Sequence, residues 1–280
     1  MKLVIGFLHP GAMGISLAAS AQNSGHLAYW ASEGRSKATR ARAEEHNLLD
    51  AGTVQGLCDV CSVVVSICPP HAADAVAEQV LACGFQGLYL DANAISPQRT
   101  SRIADRMRKA GARFVDGSII GGPAWKPKST WLYLAGEYAA DIERCFAAGP
   151  LETVILDNVI GHAAALKMCF AAYTKGTTAL LAAIVAAAEA TGIREALDAQ
   201  WSRGGSGFAV ETAERVQRVT ARAWRFAGEM DEIADTFEGA GLPGGFHRSA
   251  AEIYRCMASF KNDATPPALE DILRALLKPD

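Results

Sequence analysis

The sequence predicts a doubly wound α/β domain with a mostly parallel sheet, followed by an all-α domain led by a long helix. Three observations carry this. Apolar strand-like runs alternate with helical segments through the first 158 residues. The stretch Val60 to Ile67 is dominated by β-branched residues, as a strand covered on both faces requires. Past Gly161 the alternation stops, and an Ala-rich stretch without Pro runs from His162 to Thr191.

Each element follows from its own pattern. Leu3 to Leu8 is an apolar run that gives way to a Gly/Pro turn and a small-residue helix, with Gly25 as its stop. His26 to Ala31 reads as the second strand, and a charged helix follows to about Asn47. The strand Val60 to Ile67 ends at Cys68-Pro69-Pro70, and Ala72 to Leu81 is a helix. Gly87 to Asp91 is a strand, followed by Asn93 to Pro97 and a basic helix, Gln98 to Ala110. Arg113 to Asp116 is a strand that leads into a loop, Gly117 to Pro123. Thr130 to Ala135 and Val154 to Leu156 are further strands. The stretch His162 to Thr191 is apolar nearly all round, which predicts a buried rod. Lys167, Lys175 and Glu189 within it argue against a membrane span. Four more helices are predicted at Ile193 to Gln200, Val210 to Gly239, Gly245 to Ser259 and Leu269 to Leu277.

Composition narrows the function classes. The 280 residues, half of them hydrophobic, suffice for two cores, divided at 1–158 and 159–280. A net charge of -3 gives no basic field for nucleic acid. Lys2 leads straight into a Gly-broken apolar run, unlike a secretory signal. Seven cysteines without framework spacing fit reduced thiols, so a cytoplasmic location is expected. Cys58 and Cys61 form one C-x-x-C with no second ligand pair, so no metal is expected.

The first turn carries the main functional signal. Gly6 lies in the strand, and His9-Pro10-Gly11-Ala12-Met13-Gly14 forms the turn into the helix. Free N–H groups in a helix's first turn, aided by its dipole, suit a pyrophosphate. The first glycine of G-x-G-x-x-G is His9 here. After the second strand come Ser32, Glu33, Arg35 and Ser36, where a dinucleotide fold meets the adenosine ribose. Glu33 suits a 2′-hydroxyl. Ser32, Arg35 and Ser36 suit a 2′-phosphate, which selects NADP with NAD as the alternative. A solvated loop with Ser36 as a helix cap is the competing reading. Loops holding Cys68, Pro69, Pro70, Asn93 and Ser96, and Ile120 to Pro123, lie at the carboxyl ends of strands and should line one crevice. Lys167, on an apolar helix beside a stripe of small residues, is the candidate acid/base; a lysine reaching to the surface is the alternative.

These pieces resemble the β-hydroxyacid dehydrogenase superfamily, which includes the 3-hydroxyisobutyrate and 6-phosphogluconate dehydrogenases. The resemblance rests on Gly6 to Gly14, Asp91 to Pro97, Asp116 to Gly122, and Gly161 with Lys167 six residues on. The C-terminal third is similar to a branch whose last domain has no assigned role, through Tyr173 to Gly176 and Gly241 to His247. The resemblance implies a Rossmann domain for the dinucleotide, a helical second domain that forms a homodimer, and hydride transfer between nicotinamide and a secondary alcohol carbon. Lys167 falls on the catalytic lysine, Ser96 near the nicotinamide ribose, and Gly121 and Gly122 on the substrate loop. Three positions depart from the family: Ile120 replaces a serine, Ala171 an asparagine, and His247 stands in a later lysine region. These replacements point away from a small polar hydroxy acid and towards a bulkier substrate held by Trp125, Tyr173, Thr174, Lys175 and His247. Ordinary packing is the alternative for the aromatic residues and the histidine. Two other functions compete: an imine or ketone reductase, whose relatives usually carry Asp or Tyr at the Lys167 position, and a non-catalytic dinucleotide-binding protein.

Overall fold

The computed structural model describes residues 2–263 and 265–277. It divides into two compact units, Met1–Lys167 and Met168–Asp280.

The first unit is built on an eight-stranded sheet. Its strands are β1 (Val4–Phe7), β2 (Leu27–Trp30), β3 (Leu49–Asp50), β4 (Val63–Ser66), β5 (Leu88–Asp91), β6 (Arg113–Gly121), β7 (Thr130–Ala135) and β8 (Glu152–Asp157). They run in the order β3-β2-β1-β4-β5-β6-β7-β8. All neighbours are parallel except β6 and β7, which are antiparallel. The order reverses between β1 and β4, where such sheets open a crevice at their carboxyl edge. The helices of this unit are α1 (Ala12–Asn23), α2 (Lys37–Glu45), α3 (Val54–Val60), α4 (Ala73–Ala82), α5 (Pro97–Lys109), α6 (Ala139–Cys145) and the start of α7 (His162–Ala171).

Alternation along each strand sorts the core into two layers. Ile5, Phe7, Val63, Val65, Leu88, Leu90 and Val115 meet α1 and α6 on one face. Val64, Tyr89 and Phe114 meet Leu57, Val76, Val80 and Ile103 of α3, α4 and α5 on the other. Central strands are therefore apolar on both sides, as their sequences predict.

The differences from the sequence expectation have local causes. Val60 belongs to α3 rather than to a strand, because the Thr53 hydroxyl caps a short helix by accepting from the Gly56 N–H at 3.0 Å. The edge strand β3 and the helix α6 are too short to show a period. Residues Gly117 to Gly121 extend β6 instead of forming a loop, since β7 pairs with them from Gly117↔Leu134 to Gly121↔Thr130.

The second unit is helical. After α7 comes a π-helical turn, Ala172–Gly176, then α8 (Thr177–Ala190), α9 (Arg194–Trp201), α10 (Phe208–Gly239), α11 (Gly245–Cys256) and α12 (Leu269–Leu277). Its core includes Val216, Ala223, Met230, Ile233, Ala251, Tyr254, Met257 and Ile272. The helical stretch His162–Ala190 is long and apolar enough to cross a membrane by length and composition, and 39% of its most apolar window is buried. The expectation of a rod buried all round is corrected: Phe170, Tyr173 and Leu180 are exposed.

Candidate functional site

The crevice is built from the carboxyl ends of β1, β4, β5 and β6. At β1, Gly11 is the N-cap of α1 and offers no side-chain acceptor to the first-turn N–H groups. Space for a Cβ at Gly11 is open. A Cβ on Gly14 would fall 2.3 Å from the His9 carbonyl oxygen, so only glycine lets the turn close. Ala12 and Met13 open the helix beside it. Gly6 plays a packing part: its missing Cβ leaves room for Leu57 at 2.8 Å. Pro10 is buried, and its carbonyl accepts from Arg42 of α2 at 3.0 Å. His9 is partly buried with an unpartnered Nδ1, and burial, reinforced by Arg35, lowers its pKa to about 4. It is a neutral imidazole at pH 7.

At the tip of β2, Ser36 is the N-cap of α2 and accepts from the Thr39 N–H at 3.2 Å, so the competing helix-cap reading describes its hydroxyl. Ser32 is buried, and its carbonyl accepts from Arg40 at 2.7 Å. Glu33 is exposed and its N–H donates to Gly52 at 2.9 Å. Arg35 donates through Nε to the Ala31 carbonyl at 3.4 Å, which places its guanidinium on the crevice side near His9.

The β4 and β5 loops are tied together by one amide. Asn93 Oδ1 accepts from the Cys68 N–H at 2.6 Å, Asn93 Nδ2 donates to Ser66 Oγ at 3.0 Å, and Asn93 N donates to Asp91 Oδ1 at 3.0 Å. Asn93 thus shapes the crevice floor from inside. Burial pushes the Cys68 thiol up to about 12, which leaves it no nucleophilic role at neutral pH. Pro69 and Pro70 open a short 3₁₀ turn, and the Pro70 carbonyl accepts from Arg99 at 2.9 Å. Ser96 is buried at the N-cap of α5.

The end of β6 meets α7. Lys167, half-buried on α7, donates from Nζ to the Ile119 carbonyl at 2.6 Å. Ile120 is half-buried on the next position, and Gly121 has φ +123 with a Cβ position 2.2 Å from the Ser129 carbonyl oxygen. Gly122 faces open space, and its carbonyl accepts from Thr130 Oγ1 at 2.7 Å. The loop then folds back onto α1: Ala124 N donates to Ser16 Oγ at 2.9 Å. Trp125, half-exposed, stacks on His46 with centroids 5.1 Å apart, so it lies by the C-terminal end of α2.

Asp116 has no assigned part in the sequence reading. Its Oδ2 accepts from the N–H groups of Gly161, Ala163 and Ala164 at 2.8, 3.0 and 3.3 Å. It fixes the start of α7 onto β6. The signal for it was present, an acid at the head of the Asp116 to Gly122 segment, but its partners are 45 or more residues away.

In the helical unit only one expected substrate residue is well exposed, Tyr173. Ala171 is buried. Thr174 Oγ1 donates back to the Phe170 carbonyl at 3.1 Å. Lys175 pairs with Glu229 and lies 4.7 Å from the Phe226 ring. His247 is buried against Phe237 and Phe246 in edge-to-face contacts, with Nδ1 unpartnered. Among the described residues no group of three His, Cys, Asp or Glu side chains could hold a metal.

The first unit fits a dinucleotide. An uncapped helix N-terminus, an open Gly11 and a nearby arginine together offer N–H donors and positive charge to phosphates. Comparison with known proteins bears on this directly. Residues 4–147 match the model of the NAD binding domain of 6-phosphogluconate dehydrogenase, and residues 188–257 match a domain of unknown function, DUF1932. A search of curated proteins returns no match. Among solved structures, a conserved hypothetical protein from Sinorhizobium meliloti 1021 is 24% identical, with a TM-score of 0.70, covering 99% of this chain and 96% of that one. MTH1747, a conserved protein of unknown function with structural similarity to 3-hydroxyacid dehydrogenases, is 25% identical, with a TM-score of 0.65, covering 91% and 99%. A 3-hydroxyisobutyrate dehydrogenase from Mycobacterium tuberculosis, solved with L-serine, is 18% identical, with a TM-score of 0.70, covering 99% and 100%.

Proposed function

We propose that this chain, which belongs to the β-hydroxyacid dehydrogenase superfamily of NAD(P)-dependent dehydrogenases and reductases, is an NADP-dependent oxidoreductase acting between a secondary alcohol and its carbonyl. Lys167 is its general acid/base. The observation that supports this is the Lys167 amine held at 2.6 Å from the Ile119 carbonyl, next to Ile120 and the Gly121–Gly122 turn. The bound nicotinamide supplies or takes the hydride. Lys167 returns a proton to the substrate oxygen on reduction and removes it on oxidation. Holding an ammonium on a backbone carbonyl fixes its direction.

The NADP preference rests on Arg35, a planar fork beside the adenosine end of the crevice, suited to a 2′-phosphate. Ile120 on the substrate loop gives an apolar wall where a hydroxyl would anchor a small hydroxy acid, so the substrate is a less polar carbonyl compound. The test is a screen of hydroxy acids, ketones and imines with NADPH and NADH, followed by Lys167→Met. Turnover is expected to disappear in the variant while NADPH binding persists. Unchanged turnover removes Lys167 from the chemistry, and NADPH binding without turnover of any compound would favour a non-catalytic role.

A further inference from the structure

Strand β6 holds the segment Gly161 to Lys167 at both ends. At its base, one oxygen of Asp116 accepts three N–H groups, from Gly161, Ala163 and Ala164, at 2.8 to 3.3 Å. Three residues further along the same strand, the Ile119 carbonyl accepts from Lys167 Nζ at 2.6 Å. Asp116 is buried, and its strand is fixed on either side by pairing with β5 and β7. The first turn of a helix otherwise frays, because its N–H groups have no internal partners. A carboxylate there satisfies them and complements the helix dipole. Lys167 lies one turn beyond the last N–H that Asp116 holds, so any rotation or slip of that turn moves the amine.

We infer that Asp116 is a positioning residue for Lys167: it locks the first turn of α7 to β6 and thereby sets where the amine points. This rests on the reading of Lys167 as the acid/base, but it is tested separately from it. The groups that face Asp116 are Asp91 on β5 and His162 on α7. Asn keeps the shape of Asp116 and an oxygen acceptor for the three N–H groups, so Asp116→Asn is expected to fold even if Asp116→Ala does not.

The experiment is competitive acetylation of the whole protein with limiting acetic anhydride, followed by peptide mass spectrometry. It reads the reactivity of Lys167 relative to exposed Lys2. A neutral acceptor grips the three N–H groups less well than a charged one, so the ratio is expected to rise about fivefold in Asp116→Asn, and further in Asp116→Ala. NADPH binding by fluorescence titration should stay within about twofold of wild type. Ile142→Val, a buried truncation in α6 away from the site, should lower stability without moving the ratio. An unchanged ratio in folded Asp116→Asn, or an equal rise in Ile142→Val, overturns the inference. If the ratio rises while Lys167→Met still turns over substrate, Asp116 positions the amine but the acid/base reading fails.

Discussion

Asp91 and Asp116 are paired in register on neighbouring parallel strands, both carboxyls cut off from water. Asp91 also keeps one oxygen, Oδ2, buried without a partner. Burial, assisted by the neighbouring Asp116, pushes Asp91 up to about 7, and burial pushes Asp116 up to about 6. A carboxyl with a raised folded-state pKa binds more protons in the native than in the unfolded chain. Its stabilising effect is therefore fully present below the unfolded value and is lost as pH rises through the folded value. His9, lowered to about 4, acts in the opposite sense, its contribution being lost as pH falls from about 6.5 to 4. Comparing wild type with Asp91→Asn cancels the histidine. The wild type should gain on the order of 2 kcal/mol relative to Asp91→Asn between pH 8 and pH 5. Urea denaturation at the two pH values measures it, and a pH-independent difference would refute it.

Gly14→Ala puts a methyl group against a backbone carbonyl, that of His9, which has no rotamer in which to retreat. The turn must open. A loss of about 2 kcal/mol of stability is expected, with NADPH affinity weakened at least about tenfold, measured by thermal melts and fluorescence titration. Gly11→Ala meets open space and should cost less stability, and it is expected to weaken NADPH binding, because the methyl would stand at the proposed phosphate position.

Arg35→Ala is expected to weaken NADPH binding about tenfold or more while changing NADH binding by less than about twofold. Equal losses for both cofactors would show that Arg35 does not read the 2′-phosphate. Tighter NADH than NADPH binding in the wild type would end the NADP assignment.

Lys175→Met strips Glu229 of its ammonium partner inside the helical unit, where the two side chains are only 15% and 9% exposed. A cost of about 3 kcal/mol is expected, and the double variant Lys175→Met with Glu229→Leu should recover most of it. NADPH binding should be unaffected by either, because the pair lies in the core of the second unit. A loss of binding in the single variant would revive Lys175 as a site residue.

The fold was largely legible because the strands of a covered parallel sheet advertise themselves. Val63 to Val65 and Leu88 to Leu90 are short hydrophobic runs, each ending at the strand's carboxyl edge in a polar residue. The turn into α1 was legible because its requirement is local: Gly14 leaves no room for a Cβ beside the His9 carbonyl, and Gly11 caps the helix. What could not be seen is what depends on distant partners. Asp116 meets residues 45 to 48 positions on, Asn93 bridges back 25 and 27 positions, and Lys175 finds Glu229 across 54. Length also hid features: α6 spans seven residues and β3 two, too few to repeat a pattern. The Lys175–Glu229 pair was not legible because a cation on an apolar helix looks the same in sequence whether it meets a ligand or a buried carboxylate.

The π-helical turn at Ala172–Gly176 accommodates one more residue than an α-helix would in the same rise. Its loosened carbonyls are taken up from outside: Arg215 donates to the Thr174 oxygen at 2.8 Å and the Tyr254 hydroxyl to the Lys175 oxygen at 2.8 Å. Excising a single residue from this stretch would close it to ordinary α-helix and leave the downstream rod in phase, so Thr178 would still meet Arg215, now at 2.7 Å. The same excision within α8 has no such slack and would turn every contact beyond it by about 100°. The wide turn is thus the place where this rod can lose a residue while the unit keeps its packing.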